Sequence, residues 1–290
     1  MDLLPQFLID SVLLGGLYTL MAIGFSLSFG VTRIINFAHG EFIMLGAYAA
    51  FWLFSLGGVD PLLALPLVIL AGFVAGWILF KGFIERVLSA PHINQILLTF
   101  GIGLVLQHVA VILWSGNSRS ATPDYAFSAW FLDNLFIPHG RLIGCIVAIA
   151  LVLGLIAWLK WSEGGRAVRA VAQNGDAATL MGINVKRMYA LSFAISSALG
   201  AATGAVVSFI VTVTPFMGFP MLVKAVAIVI LGGLGSVGGT ALGAFLLAFA
   251  ETAFSYYVPE GSGWSEGLAF VLIVAILIVR PRGLFGHSEA

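Results

Sequence analysis

The sequence predicts an all-α fold, a polytopic bundle of membrane-spanning helices, and three observations carry that expectation. The first is composition. Of 290 residues, 60% are hydrophobic and only 9% charged, with a mean hydropathy of +1.08. Soluble domains carry roughly 25% charged residues. A chain this poor in charge cannot cover a soluble core, so lipid must be its solvent. The second is length: the apolar runs approach the ~20 residues that a bilayer-crossing helix needs. The third is punctuation, because the runs are separated by turn-forming clusters such as Gly57-Gly58-Val59-Asp60-Pro61, Thr214 to Pro220 and Pro259-Glu260-Gly261-Ser262-Gly263.

Taken in order, the expected spans are 8–30, 37–56, 62–80, 93–115, 141–159, 188–214, 221–236, 240–257 and 264–279. That makes about nine crossings, with eight to ten compatible with the short runs at 221–236 and 264–279 and the tight break at 31–36. The N-terminus supplies no basic region before its apolar run, so it reads as a true first span and not as a cleaved signal. The longest polar loop, 116–140, has room for a short surface helix. Span boundaries make 214–220 an outer loop; a broken helix lining a path is the other reading.

Basic residues set the orientation. With nine spans and the N-terminus outside, Arg33, Lys81, Arg86, the five basic residues of 160–187, Arg280 and Arg282 are cytoplasmic, while Arg119, Arg141 and Lys224 lie on or near the outer side. Ten against three favours this topology. The N-terminus is then outside and the C-terminus cytoplasmic. The chain reads as one transmembrane domain, 1–290, whose halves 1–159 and 188–290 flank a polar segment at 160–187. Because the halves enter from opposite sides, the arrangement is what an inverted-topology repeat around that segment requires.

Several function classes drop out. Zero net charge gives no basic field for nucleic acid. A single cysteine, Cys145, excludes an internal disulfide and a multi-cysteine metal site, and reads as a small packing residue. The pairs Gly72/Gly76, Gly200/Gly204, Gly235/Gly239 and Gly239/Gly243 have the spacing that brings helices close, and tight packing within one bundle is the preferred reading. The glycine run at 232–239 lacks the Lys-Ser/Thr of a phosphate-binding loop and reads as a tight turn.

The segment 160–187 holds seven of the 26 charged residues. Gly164-Gly165 should break the preceding span, Arg166 to Ala172 should form a helix with basic residues on one side, Asn174 should cap a second helix with Asp176 in its first turn, and Gly182 should end it. An ordinary positive loop needs basic residues, but not an alanine-rich helix with a glycine stop.

Asp176-Ala177-Ala178 with Gly182 resembles the Glu-Ala-Ala-x3-Gly element of ABC importer permeases, with Asp176 in place of Glu. The fuller stretch, Gly165-Arg166-Ala167 through Gly182-Ile183-Asn184-Val185, resembles the same loop of the branched-chain amino-acid permeases of the LivH type. So do Gly30-Val31 with Ile35-Asn36-Phe37-Ala38-His39-Gly40-Glu41, the run Leu231 to Ser236, and Arg280-Pro281-Arg282-Gly283-Leu284-Phe285-Gly286. The resemblance covers nearly the whole chain. It implies a non-enzymatic permease subunit that imports hydrophobic amino acids, with two ATP-binding subunits, a second related permease chain and a periplasmic binding protein as partners. This chain itself would bind no cofactor, since ATP and Mg sit on the partner subunits. It also implies that Arg166, Arg169, Asp176, Ala177, Ala178 and Gly182 couple to the ATPase.

Three further constellations carry polar chemistry within the spans. Asn36 can cap the second span, placing His39 and Glu41 in its first turns near the inner interface, as plain capping or as a gate with Arg33 close enough to pair Glu41. Metal binding there is not expected, because two ligands at this spacing without others make a poor site. Thr99 and Gln107 offer hydrogen bonds either to a passing solute or between helices. Lys224 and Glu251, if their spans form an antiparallel pair, sit at one depth ~20 Å from the turn. They read first as a buried structural ion pair and second as a substrate contact. The rival function is an ion-gradient-driven secondary transporter of small polar solutes, which leaves 160–187 unexplained; an intramembrane enzyme built on His39 and Glu41 lacks a nucleophile.

Overall fold

The structure, a computed structural model, describes residues 3–132, 135–258 and 261–279. The motif at 280–286, with its arginines Arg280 and Arg282, lies outside the described residues, as do Asp133 in the polar loop and Pro259 and Glu260 in the last break.

Helices form where the apolar runs predicted them. They are α1 (Leu4–Thr32), α2 (His39–Gly57), α3 (Pro61–Gly82), α4 (His92–Trp114), the short α5 (Asp124–Phe127), α6 (His139–Trp161), α7 (Glu163–Gln173), α8 (Gly175–Leu180), α9 (Val185–Val207), α10 (Gly218–Gly232), α11 (Val237–Tyr257) and α12 (Ser265–Val279). Seven helices among the described residues are long and apolar enough to cross a membrane. At 15 residues α10 is shorter, about 22 Å long at 1.5 Å per residue.

The 116–140 loop contains the expected short helix, α5, and also a strand pair that the all-α reading did not include. Strands β1 (Ala129–Leu132) and β2 (Leu135–Pro138) pair antiparallel, with Trp130 opposite Ile137. Next to them, the Tyr125 hydroxyl donates to Asp60 Oδ1 at 3.0 Å. Burial, then that hydrogen bond and the carboxylate charge, pushes the Tyr125 phenol above its ordinary value.

Two chain breaks depart from the expected spans. The sixth span was expected to run to 214, but α9 ends at Val207. The segment after it is partly packed into the bundle: Ser208, Phe209, Val213 and Met217 are buried, while Val211 and Phe216 are exposed. The peptide groups there are satisfied from the long loop, with Arg119 N donating to Val213 O at 3.0 Å, Val213 N to Arg119 O at 2.7 Å and Ala121 N to Ser208 O at 3.0 Å. Buried irregular backbone must be paired in this way, or it would not persist away from water. Pro220 then falls in the first turn of α10, where a missing N–H costs nothing.

The second departure is at the start of α2. Its N-cap is Ala38, and Asn36 instead accepts a hydrogen bond from Ala38 N at 3.0 Å, an Asx turn within residues 34–38. His39 is fully buried. Its ring packs against Gly24 of α1 and Gly200 of α9, both well inside their helices. Thus α2 and α10 each begin deep in the bundle after a stretch of irregular chain.

The helix pairings repeat. Helix α1 runs antiparallel along α11, with Gly15 on Phe245 and Ser26 hydrogen-bonded to Thr240 at 2.8 Å. Helix α3 runs antiparallel along α9, with Gly72 on Ala201 and Gly76 on Ser197 and Ala194. Helix α2 lies parallel to α9 through Gly204 and Ile43, as α10 lies parallel to α1, with Lys224 near Tyr18 and Gly235, three residues past the end of α10, on Gly30. Exchanging α1, α2 and α3 for α9, α10 and α11 therefore carries one set of close pairs onto the other. The glycine pairs serve packing inside this bundle, since each lost Cβ admits a neighbouring backbone.

Candidate functional site

At one end of the bundle, α7 and α8 form a corner. Ser162 caps α7, its Oγ accepting from Gly165 N at 2.9 Å, so the helix starts at Glu163, before the glycine pair expected to break the chain. Gly165 sits where a side chain would strike the backbone of Trp158 and Leu159, which locks α7 against the end of α6. Val168 and Val171 are buried in one apolar cluster with residues of α1 and α6, Val31 and Leu159 among them, while Arg166 and Arg169 are exposed. Asn174 Oδ1 accepts from Ala177 N at 2.9 Å and caps α8. Gly182, at φ 81°, closes it, with Ile183 N donating to Ala178 O at 3.0 Å. This left-handed stop favours glycine.

The corner divides its residues. Asp176 and Ala177 face outward, whereas Ala178 is buried in the same cluster as Val168. Sequence reasoning missed the two most telling side chains: Leu180 is 89% exposed and Met181 82%. Two adjacent apolar residues on a polar corner were legible only as spacers, because a short helix has too little periodicity to show which face they occupy.

In the middle of the bundle the two breaks meet. A Cβ on Gly40 would overlap the carbonyl oxygen of Gly218, and one on Gly218 would lie 2.6 Å from Glu41 Oε1. Glu41 is therefore in the first turn of α2 with its carboxyl against the N-terminus of α10, where the positive ends of both helices favour negative charge. Its Oε2 is buried without a hydrogen-bond partner, as is Asn36 Nδ2. Arg33 caps α1 from an exposed position at φ 59° and forms no ion pair with Glu41 among the described residues. His39 Nε2 is 3.2 Å from Met21 O and its Nδ1 is 3.4 Å from Ser196 Oγ, which fixes the ring to α1 and α9. Thr99 Oγ1 accepts from Phe37 N at 3.2 Å and lies 3.2 Å from Ile35 O, tying the 34–38 break to α4. Gln107 is half-buried on α4, apart from this junction.

Toward the hairpin end lies a cavity of about 490 Å³ between α1, α6, α9, the 208–217 segment, α10 and α11. That is in the ~300–1,000 Å³ range of small-molecule sites. Lys224 and Glu251 line it, with Lys224 Nζ 3.2 Å from Glu251 Oε1 and 3.3 Å from Oε2. The Tyr18 hydroxyl donates to Glu251 Oε2 at 2.5 Å and accepts from Lys224 Nζ at 2.8 Å. Asp10, Arg141 and Tyr256 line the same cavity, Arg141 Nη1 standing 3.9 Å from Asp10 Oδ1 and the Tyr256 hydroxyl donating to Asp10 Oδ2. None of Asn36, His39, Glu41, Thr99 and Gln107 lines this cavity.

Residues 7–277 match the family model described as the permease component of the branched-chain amino acid transport system. The chain belongs to that permease family. The permease is 33% identical over 298 residues to the high-affinity branched-chain amino acid transport system permease protein BraD of Pseudomonas aeruginosa, covering 98% of this chain and 96% of that protein. It is 31% identical to LivH of Escherichia coli K12, again over 98% and 96% of the two chains. It is 25% identical to a LivH described as probable from Methanocaldococcus jannaschii, over 95% and 90%. No solved structure matches the chain. The permease is thus a multi-pass membrane transport subunit, and the all-α bundle is the architecture on which its sites are mounted.

Proposed function

We propose that the permease carries branched-chain, hydrophobic amino acids into the cell as the membrane-spanning part of an ATP-driven importer. The observation that supports this reading most is the α7–α8 corner, where a rigid, doubly capped turn presents exposed Leu180 and Met181 beside Arg166, Arg169, Asp176 and Ala177. Exposed apolar residues on a polar loop outside lipid mark a protein interface. In this reading two ATP-binding subunits, which hold ATP and Mg, grip that corner. A second related permease chain completes the membrane part, and a periplasmic binding protein delivers the solute. The corner is then cytoplasmic, the N-terminus periplasmic and the C-terminus cytoplasmic, in agreement with the basic residues of 160–187. The chain acts as one domain, its halves 1–159 and 188–290 forming an inverted repeat about 160–187.

The packing suggests how force travels. The valines of α7 bear on α1, and α9 follows directly from α8. Both α1 and α9 contribute walls to the large cavity, through Leu17 and through Thr203 and Val207. A sideways push on the corner therefore moves two walls of the cavity at once. Purification of the tagged permease from its native membrane, followed by uptake into proteoliposomes, tests the proposal. Co-purifying ATP-binding subunits and ATP-dependent uptake are expected; uptake that ignores ATP but collapses with the proton gradient would establish the ion-driven alternative.

A further inference from the structure

We propose that the cavity between α1, α9, α10 and α11 is the site where the permease holds its solute, and that Lys224 and Glu251 receive the two charges of an α-amino acid. This deepens, and rests on, the import reading above. Three features of the cavity carry it.

Glu251 is 5% exposed and lines the cavity, and its Oε1 is a buried acceptor with no hydrogen bond although the Lys224 ammonium stands 3.2 Å away. A buried carboxylate oxygen left without a donor is costly, unless something else supplies one. An α-ammonium group carries three such donors. Lys224, whose side chain is 20% exposed, can turn its own donors to an α-carboxylate while Tyr18 keeps its place between the two. The ion pair is then a zwitterion receptor closed on itself: the solute inserts its opposite charges between them, and the pair re-forms when it leaves.

The remaining walls suit an apolar side chain. Leu17, Met21, Val207, Met217 and Met221 surround the cavity. Methionines adapt to differently branched side chains without a fixed shape, so the same walls accept several small apolar amino acids. The floor of charge and the greasy wall together describe the solute: compact, zwitterionic at one end and hydrocarbon at the other.

The mouth is built separately. Asp10 lies two turns of α1 from Tyr18, about 12 Å at 1.5 Å per residue. There Asp10 receives hydrogen bonds from Gln6, at 3.1 Å, and from Tyr256, and faces Arg141 at 3.9 Å. A solute entering from the hairpin end meets this collar first and the Lys224–Glu251 pair second.

The decisive experiment labels a cysteine in the cavity of the complete transporter complex reconstituted in proteoliposomes. In a C145A background, the thiol of Met221→Cys is exposed to a small methanethiosulfonate, with leucine, isocaproate or isoamylamine as protectants. Leucine should protect. Isocaproate and isoamylamine, each lacking one charge, should need at least about tenfold higher concentration, the equivalent of one lost charge-assisted hydrogen bond. The exchanged pair K224E/E251K keeps an ion pair for folding but reverses its polarity, so protection should be lost while the ATP-binding subunits still co-purify. Should the exchange prevent assembly, Glu251→Gln decides, with at least about tenfold weaker protection expected. Absence of leucine protection, or undiminished protection in these variants, overturns the site. Uptake of radiolabelled leucine is read in parallel: protection without ATP-dependent uptake leaves the site standing and sinks the import reading.

Discussion

Gly40 and Gly218 stand backbone against backbone, so close that neither has room for a Cβ. Two helices that each begin inside the bundle abut there, and Glu41 closes the junction from the first turn of α2. No spacing in the sequence links residues so far apart.

Gly40→Ala should therefore destabilise the permease. The carbonyl of Gly218 is backbone and cannot rotate away, so the junction must open, at a cost of about 1–3 kcal/mol, as in overpacked cores. Gly101→Ala is the matched control, because nothing lies within 4 Å of a Cβ there. Thermal unfolding in detergent should show a lower midpoint for the first variant and no loss for the second. Equal midpoints would mean that the two half-helices are not held in contact.

Thr99 offers a subtler test of the same junction. Its hydroxyl holds the Phe37 amide and lies beside the Ile35 carbonyl of a stretch with no helix of its own. Thr99→Val leaves these buried groups short of a partner and should cost about 1–3 kcal/mol, whereas Thr99→Ser should retain most of the stability. Hydrogen exchange of residues 34–38 would show the loss directly, as faster exchange in the valine variant alone.

At the α7–α8 corner the structure separates two alanines that the sequence treats alike. Ala178 is buried against α7 and Ala177 is exposed. Ala178→Leu should lower the melting temperature, by overpacking of about 1–3 kcal/mol. Ala177→Leu should leave the isolated permease unchanged and act only on its complex with ATPase subunits. Melting curves of both variants alone, set against co-purification yields, check the separation.

Leu180→Asp and Met181→Asp should likewise fold normally, since both side chains face solvent. Each should reduce ATPase co-purification at least about tenfold if it occupies the interface core, where hot-spot residues carry ≥ 2 kcal/mol. Arg169→Glu, on the same exposed surface, should uncouple hydrolysis from uptake. Binding unaffected by any of the three would place the ATPase elsewhere.

Asn174→Ala removes the cap of α8, a helix of only six residues. The loss is about 1 kcal/mol, enough to fray a single turn that has little propagation of its own. Asn174→Asp should restore it. Protease sensitivity at 174–182 measures the fraying.

Much of this protein was legible without coordinates. Low charge and apolar runs determined the membrane bundle, because lipid tolerates little else. Asn174 and Gly182 marked a capped helix with a glycine stop in the polar segment, since caps are local chemistry. The motifs at 30–41, 165–185 and 231–236 pointed to the family, and Lys224 and Glu251 could be set at one depth by counting residues from a turn. The tertiary structure alone decided the rest. It ended α9 at Val207 and buried Ser208, Phe209, Val213 and Met217 of the stretch that follows, where the peptide groups of Ser208 and Val213 find partners at Arg119 and Ala121 on another segment. It packed His39 between α1 and α9, set Glu41 against the start of α10, and brought Gly40 to Gly218. It also placed Lys224 and Glu251 beside a cavity with Tyr18 of α1, so that a pair read first as a structural ion pair gained an open space beside it. Helix formation is governed by neighbours along the chain, whereas the place where two helices break and meet is set by residues distant in sequence, and only packing brings them together.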